Sequence, residues 1–178
     1  MNETRARPSV RDEARAAAFA DLIGARLDSS YRLACAILGD RLEAEEACQE
    51  AALRAWRGWS SLKDPSRVDA WFGRIVVNVC RDRIRKRRSA LSLSAAEGST
   101  SDPVRHVVEL DTLREAIAEL SSDHRIVIVL RYVADLSLEE IADRVGIPVG
   151  TVKSRLHHAL KLLRASYAAV GRAEDRGS

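Results

Sequence analysis

Residues Asp135 to Leu163 read DLSLEEIADRVGIPVGTVKSRLHHALKLL, and this stretch predicts two helices joined by a very short turn. Ser137, followed three residues later by Glu140, forms a capping box, which satisfies free backbone donors at the start of a helix. Gly146 supplies a residue that turns the chain without steric cost, and Pro148 suits the first turn of a second helix. The stretch therefore predicts a tight helical hairpin.

The second predicted helix has an apolar back and a front rich in hydrogen-bond donors. Its apolar side chains recur at helical spacing, at Val152, Leu156, Ala159, Leu160 and Leu163. Its polar side chains on the opposite face are Thr151, Lys153, Ser154, Arg155, His157, His158 and Lys161. An ordinary solvated helix can share this spacing, but the front carries no acid and its donors cluster over the first two turns, where base edges would be reached. The pattern favours a helix-turn-helix that reads a major groove of DNA.

Length and composition limit the class of protein. With 178 residues and 46% hydrophobic content, the chain can bury one or two small cores. Only 4 prolines and 9 glycines, beside much Ala, Leu, Arg and Glu, favour an all-helical fold. No apolar run approaches the length of a membrane span, and the polar start of the chain lacks the apolar core of a secretion signal. We therefore expect a cytoplasmic protein with no membrane insertion.

The cysteines and histidines give no sign of a metal site. Cys35, Cys48 and Cys80 are odd in number and widely spaced, so we expect free, buried thiols. The four histidines have no metal-ligand spacing with them. The chain also lacks a phosphate-binding glycine loop and a nucleophile paired with a base, so we expect neither a cofactor nor an enzyme.

A predicted helix that begins near Leu42 is acidic in its first half. The acids are Glu43, Glu45, Glu46 and Glu50. Acids near a helix N-terminus complement the helix dipole, which explains the first turn, but Glu50 lies too far along for that. An exposed acidic patch on an otherwise basic protein indicates a protein partner. From the residues alone, both interpretations stay open.

The next predicted helix runs from about Val68 into a basic cluster near Arg88. Residues 81–88 read RDRIRKRR, with six bases and one acid in eight residues. Bases suit the C-terminal end of a helix, but so many like charges repel each other unless a polyanion is near. The density exceeds what capping requires and favours phosphate binding.

The serine-rich stretch that follows predicts a linker and thereby two domains. Residues 89–102 read SALSLSAAEGSTSD, with little to bury, and Asp102-Pro103 is typical of a helix start. The run IVIVLRYV at 126–133 has strand composition, but its neighbours are strongly helical, so we interpret it as a buried helix. The predicted fold is all-α, with two small helical domains at 14–88 and 104–170 and a flexible linker at 89–103. The second domain is the helix-turn-helix.

Three motifs in one order resemble a known family. They are AEEACQEA at 44–51, WFGRIVVNVCRD at 71–82 and IPVGTVKSRL at 147–156. The span from about Phe19 to Tyr167 resembles an extracytoplasmic-function (ECF) sigma factor, the compact two-domain branch of the sigma-70 family of bacterial transcription initiation factors. The resemblance implies a factor that binds core RNA polymerase, reads the minus-thirty-five and minus-ten promoter elements and helps to melt the promoter.

The resemblance also implies roles for particular residues. Those that would dock on the clamp helices of the largest polymerase subunit are Glu46, Gln49 and Glu50. Those that would bind the minus-ten element are Trp71, Arg74, Asn78, Arg81, Arg83 and Arg85. Those that would bind the minus-thirty-five element are Lys153, Ser154, His157 and His158, with Thr151, Arg155 and Arg131 as backbone contacts. The implied partners are core RNA polymerase, through its clamp helices and flap, and promoter DNA, with an anti-sigma factor as a further candidate.

One other function competes with this interpretation. A helix-turn-helix repressor or activator would bind DNA by itself and use the N-terminal half to dimerise, and it would require a palindromic operator. The pair His157-His158 stands where the family has longer or more basic side chains, which leaves the base preference open.

Overall fold

Eight α-helices form the computed structural model over the residues that it describes, 10–94 and 108–174. In chain order they are α1 (Val10–Gly24), α2 (Leu27–Leu38), α3 (Arg41–Gly58), α4 (Val68–Ser94), α5 (Val108–Glu119), α6 (Ser122–Tyr132), α7 (Leu138–Val145) and α8 (Val149–Glu174). Two single 3-10 turns, Trp59–Ser61 and Pro65–Arg67, connect α3 to α4. The predicted all-α class is confirmed. Within these ranges, no helix is both long and apolar enough to cross a membrane.

The turn between α2 and α3 follows its sequence signals. Gly39 takes the left-handed conformation, with φ of 75°, and its N–H donates to the carbonyl of Cys35. Asp40 then caps α3, because its side chain accepts a hydrogen bond of 2.8 Å from the N–H of Glu43. This turn sets the angle at which the acidic helix leaves α2.

The predicted capping box at the start of α7 is confirmed. The Ser137 hydroxyl accepts from the N–H of Glu140, and the Glu140 carboxylate accepts from the N–H of Ser137 at 2.8 Å. Gly146 ends α7 with φ of 75°. Pro148 stands just before α8 rather than within its first turn, and its carbonyl accepts from the N–H of Thr151 at 2.9 Å.

Helix α4 is longer than its sequence predicts. It continues to Ser94, so the first six residues of the predicted linker are helical. Ala, Leu and Ser alternate there without a glycine or proline to end the helix. The rest of the predicted linker, with the expected cap at Asp102-Pro103, lies outside the described residues. At the other end of the chain, α8 runs to Glu174, past the predicted end at Val170.

The strand-like run near the middle of the second half is helical, as predicted. Residues 125–130 of α6 are all buried, and they pack against α7 and α8. A helix that is buried on every side requires a continuous apolar stretch. Tertiary packing therefore makes this segment helical in spite of the strand propensity of its β-branched residues.

The two halves of the chain lie directly against one another. Helix α4 contacts α6 and α7, and α2 contacts α6. The core of the first half includes the fully buried side chains of Phe72, Val76 and Ile37. The core of the second half includes those of Ile126 and Ile141. The sequence predicts separate domains on a tether, and the structure brings them into contact.

Candidate DNA and polymerase interfaces

The first half of α8 presents the predicted groove-reading face to solvent. Lys153, Ser154, His157 and His158 are exposed, while Val152, Leu156 and Ala159 are buried behind them. The hydroxyl of Ser154 donates to the carbonyl of Thr151 at 3.0 Å. This face has the exposure and the donors that base-edge contacts need.

Two of the residues predicted to contact the DNA backbone are engaged within the protein. The guanidinium of Arg131 donates to the carbonyl of Leu136 at 2.8 Å and holds the connection between α6 and α7. Arg155 turns away from the open face of α8, and its Nη2 lies 2.7 Å from the carboxylate of Asp123. Both arginines therefore stabilise contacts within the protein. Their contacts with DNA remain predictions.

The predicted minus-ten residues fall on α4, and five of the six share one face. Successive steps of three or four residues align them on the helix. These five are Trp71, Arg74, Asn78, Arg81 and Arg85. We call this set the minus-ten stripe. Arg83 is the sixth candidate, and it points to the opposite side, toward α3.

Two members of the minus-ten stripe, Trp71 and Asn78, are only partly exposed to solvent. Trp71 is half-buried and packs edge-on against Trp59, with ring centroids 6.1 Å apart. Asn78 is also half-buried, and its amide oxygen accepts a long hydrogen bond of 3.5 Å from Arg81. Arg74 and Arg85 are exposed. The stripe therefore combines an aromatic platform, an amide and cations, which suits an unstacked strand of nucleic acid.

Arg83 joins the acidic helix to the basic one. Its guanidinium lies 2.8 Å from Glu46 and 3.4 Å from Glu50, both on α3. Burial of the guanidinium opposes its charge, but hydrogen bonding and attraction to Glu46, supported by Glu50, outweigh this and raise the pKa of Arg83. The predicted acidic patch and basic cluster are thus ion-paired with each other.

More ion pairs extend this network along α3 and α4. Arg54 bridges Glu50 at 2.6 Å and Asp82 at 3.4 Å, while Arg85 lies 3.2 Å from Asp82. These ion pairs reduce the repulsion among the positive charges of the basic cluster, because glutamates on α3 neutralise part of that charge.

The face of α3 predicted to bind polymerase also carries leucines that the sequence analysis missed. Glu46 and Gln49 are exposed and Glu50 is half-buried. Leu42 and Leu53 flank them and remain 67% and 58% exposed. Steps of four, three and four residues place Leu42, Glu46, Gln49 and Leu53 on one stripe, the spacing of a helix that packs on another helix. This helical spacing is visible in the sequence and could have identified the two leucines as part of the binding face.

The three cysteines are free, and two of them are deeply placed. Burial raises the pKa of the Cys48 thiol to about 11 and that of the Cys80 thiol to about 12. Cys35 is only half-buried, so the expectation of three buried thiols is wrong for this residue. In the described ranges no cluster of His, Cys, Asp or Glu is arranged to hold a metal ion.

Comparison with known families matches both halves. The family described as Sigma-70 region 2 matches residues 22–90, and that described as Sigma-70, region 4 matches residues 110–163. The helices therefore define a two-region factor of the sigma-70 class. The ECF RNA polymerase sigma factor SigW of Bacillus subtilis is 36% identical over 163 residues, which cover 83% of this chain and 87% of SigW. SigL of Mycobacterium tuberculosis is 35% identical over 167 residues, which cover 88% of this chain and 94% of SigL. The chain belongs to the ECF sigma factors, which direct RNA polymerase to promoters.

Two solved structures share the fold. CnrH, in complex with the cytosolic domain of CnrY, superposes with a TM-score of 0.63 at 26% identity and covers 85% of this chain and 88% of its own. The sigma factor RpoE of Bartonella quintana, in complex with the anti-sigma factor NepR, superposes with a TM-score of 0.67 at 24% identity. The superposition covers 84% of this chain and 98% of RpoE. The similarity extends over both helical halves.

Proposed function

We propose that the two halves divide promoter recognition between them, with α8 reading the minus-thirty-five element and the minus-ten stripe binding the opened minus-ten element. On α8, Lys153, Ser154, His157 and His158 contact base edges in the major groove. The observation that carries this assignment is the exposed, acid-free face of α8 over a fully apolar back. Thr151 and Arg155 flank that face and contact phosphates.

On α4, the minus-ten stripe captures a strand that has left the duplex. Asn78 offers an amide for the edge of an unstacked base, and Trp71 contributes an aromatic wall. Arg74, Arg81 and Arg85 hold the adjacent phosphates. Binding to the separated strand offsets the lost pairing and stacking, so opening needs no ATP. Because the minus-ten element is read as single strand, its recognition and its melting are one step.

The exposed stripe of α3 docks on core RNA polymerase. Leucines at its two ends bury apolar surface, and Glu46 and Gln49 between them select a basic partner helix. Glu50 and its ion pair with Arg54 support the middle of the stripe. The partner surface is the clamp helices of the largest subunit, while the second half of the chain meets the flap.

The factor works by binding, with no catalytic step of its own, and it acts in the cytoplasm where the polymerase and the genome meet. The two similar solved structures are complexes with other proteins, one of them named an anti-sigma factor. We include an anti-sigma factor among the partners of this chain for that reason.

Co-elution with bacterial core RNA polymerase and permanganate footprinting test the proposal. The wild-type chain is expected to bind core and to open DNA that the complex has enriched from a random-sequence library. Asn78→Ala should keep core binding and lose opening, since it removes only the amide of the stripe. Lys63→Ala, an exposed change in the loop before α4, is the matched control and should change neither. Failure of the wild-type chain to bind core would refute the proposal.

A further inference from the structure

Three of the four histidines lie together at the edge of the groove-reading face of α8. His157 and His158 belong to α8, and His124 belongs to the first turn of α6. The ring centroids of His124 and His158 are 6.4 Å apart, and those of His157 and His158 are 5.8 Å apart. We call these three side chains the histidine patch. His124 was not among the site residues predicted from the sequence, because helical periodicity does not reveal which helices meet.

The histidine patch is accessible to a ligand. His157 and His158 are exposed, and His124 is half-buried. The separation of the His124 and His158 rings is short enough for both to donate to one phosphate group, since each N–H···O hydrogen bond spans about 2.9 Å. The two rings can therefore hold a phosphate between α6 and α8.

The acid beside the patch is already bound by arginines. Asp123 precedes His124 in the chain, and its carboxylate lies 2.7 Å from Arg155 on α8 and 3.5 Å from Arg81 on α4. Two guanidinium groups thus neutralise the carboxylate that is closest to His124 in sequence. The imidazoles are the groups of this surface that can gain a positive charge when an anion approaches.

The charged neighbours of the patch on α8 are cations. Lys153 and Lys161 lie four residues before and after His157, and Arg155 and Lys161 lie three residues before and after His158. These like charges oppose protonation of the imidazoles in the free protein. A DNA phosphate at the same place favours protonation, and it also draws on the attraction of the neighbouring lysines.

Helices α5 and α7 also pack on α8. On α7, Glu140 is held in the capping box, whereas Asp143 and Arg144 contact α4. Glu139 is exposed at the start of α7, and Glu119 is exposed at the end of α5. Of these acids, Glu119 is the one nearest to the patch along the chain. It adds to the effect of Asp123 by favouring charged imidazoles, with or without DNA.

The hydrogen-bonding capacity of an imidazole links phosphate binding to protonation. A neutral imidazole has one donor nitrogen and one acceptor nitrogen, whereas the protonated ring has two donors. His158 can donate to a base edge and to a phosphate at the same time only in the protonated form. A second imidazole on the same phosphate, that of His124, strengthens the contact when it too is charged.

We propose that the minus-thirty-five surface extends from α8 onto α6, where His124 and His158 together bind one phosphate of the upstream DNA and are protonated in the complex. The inference rests on the proposed function of α8 and deepens it. His157 stays directed at the base edges. His124 is thereby a DNA-binding residue outside the recognition helix.

The proposal fixes the sign of a pH dependence. Since the complex holds more protons than the free protein and the free DNA, its formation takes up protons from solution. Affinity for the upstream element therefore rises as the pH falls through the range in which imidazoles titrate, and it is lost as the pH rises. Arginine and lysine contacts do not change their charge in this range.

The first test measures the affinity of the factor, bound to core RNA polymerase, for a labelled upstream duplex enriched from a random-sequence library. Fluorescence anisotropy is followed from about pH 6 to about pH 8 at constant ionic strength, with EDTA present to remove metal ions. We expect wild-type affinity to fall about tenfold over this range. His124→Gln, which keeps a hydrogen-bond donor but cannot gain charge, should bind about fivefold more weakly than wild type at the acidic end and as wild type does at the basic end.

Lys161→Gln is the matched control, because it removes a cation of the same surface that stays charged throughout. It should weaken binding by the same factor at every pH. A wild-type pH profile in His124→Gln would overturn the proposal. A uniform loss in His124→Gln, like that of Lys161→Gln, would also overturn it, since the contact would then not depend on protonation. A folding defect would show itself as weaker binding at the basic end as well.

The second test changes the DNA instead of the protein. Methylphosphonate groups, which carry no charge, replace the phosphates of the upstream duplex one position at a time. We expect one position at which wild type and His124→Gln bind equally well at about pH 6, and the absence of such a position would overturn the proposal. Failure of the wild-type complex to prefer any upstream sequence would instead remove the proposed function of α8, which keeps the two failures distinct.

Discussion

Glu46 on α3 and Arg83 on α4 lie 2.8 Å apart and bind each other, although the family resemblance implies a polymerase contact for the first and a DNA contact for the second. The side chain of Glu46 remains 54% exposed, while that of Arg83 is 23% exposed. The pair therefore sits at the rim of the interface between α3 and α4, where polymerase could contact Glu46 without breaking it. Arg83 joins the two helices, whereas the residues of the minus-ten stripe, which we propose to contact DNA, lie on the other face of α4.

Glu46→Gln and Gln49→Ala separate docking from stability. Glu46→Gln should weaken binding to core polymerase and also lower the free energy of unfolding by about 0.5–1 kcal/mol, because the ion pair between residue 46 and Arg83 becomes at most a neutral hydrogen bond and only the longer ion pair with Glu50 remains. Gln49→Ala should weaken core binding alone, since Gln49 is exposed on the same stripe. Urea unfolding and core titration measure the two effects. Unchanged core binding in both variants would exclude this face of α3 as the polymerase surface.

Lys153→Ala and Arg85→Ala separate base reading from phosphate binding. Lys153→Ala should cost about 1–3 kcal/mol on the preferred minus-thirty-five sequence and little on other sequences, because the role we propose for this lysine is to read a base edge. Arg85→Ala should weaken binding to all sequences and reduce the slope of log affinity against log salt by about 1. Binding of the complex with core polymerase to matched and scrambled promoters, at several salt concentrations, measures both. The same uniform loss from both changes would contradict the division of roles.

Ser137→Ala tests the capping box that starts the helix-turn-helix. Loss of the cap should lower the free energy of unfolding by about 1 kcal/mol at neutral pH. Hydrogen bonds from the side chain and backbone of Ser137 lower the pKa of Glu140 below its ordinary 4.5. A lowered carboxyl pKa contributes stability that is present above that ordinary value and is lost as the pH falls through the folded-state pKa. The difference between wild type and Ser137→Ala should therefore shrink in acid, and a difference that grows in acid would be inconsistent with this cap.

Thiol labelling tests the burial of the cysteines. The raised pKa values of Cys48 and Cys80, about 11 and about 12, keep both thiols protonated near pH 8. Since the thiolate is the reactive form, both should react slowly in the native protein, and the half-buried Cys35 should react first. Mass spectrometry of the native and the urea-unfolded chain gives the order, with all three labelled after unfolding. Rapid native labelling of Cys80 would mean that α4 does not pack as described.

Local signals predicted local structure well. The cap at Ser137, the left-handed Gly146 and the buried helix α6 were each predictable, because a few neighbouring residues decide them. The outward face of α8 followed from helical periodicity in the same way. The length of α4 was less predictable, since a serine-rich composition is compatible with both a linker and a helix end.

Contacts between helices were beyond what periodicity reveals. Glu46 and Arg83 are 37 residues apart, and the period of each helix indicates its stripes but not which stripes meet. The docking of Arg144 over Gly73 likewise joins two halves that the sequence presents as separate domains. The exposed Leu42 and Leu53 were missed because an apolar residue in a helix is expected to lie in the core, whereas the buried residues of α3 are four alanines and Cys48.

Selection from a random-sequence DNA library, performed with the factor bound to core RNA polymerase and with the factor alone, tests the central claim most directly. A sigma factor should enrich two short, unlike elements at one fixed spacing, and only when core polymerase is present. Enrichment of a palindrome by the factor alone, with no added requirement for core, would contradict this account and indicate a helix-turn-helix regulator that binds DNA by itself.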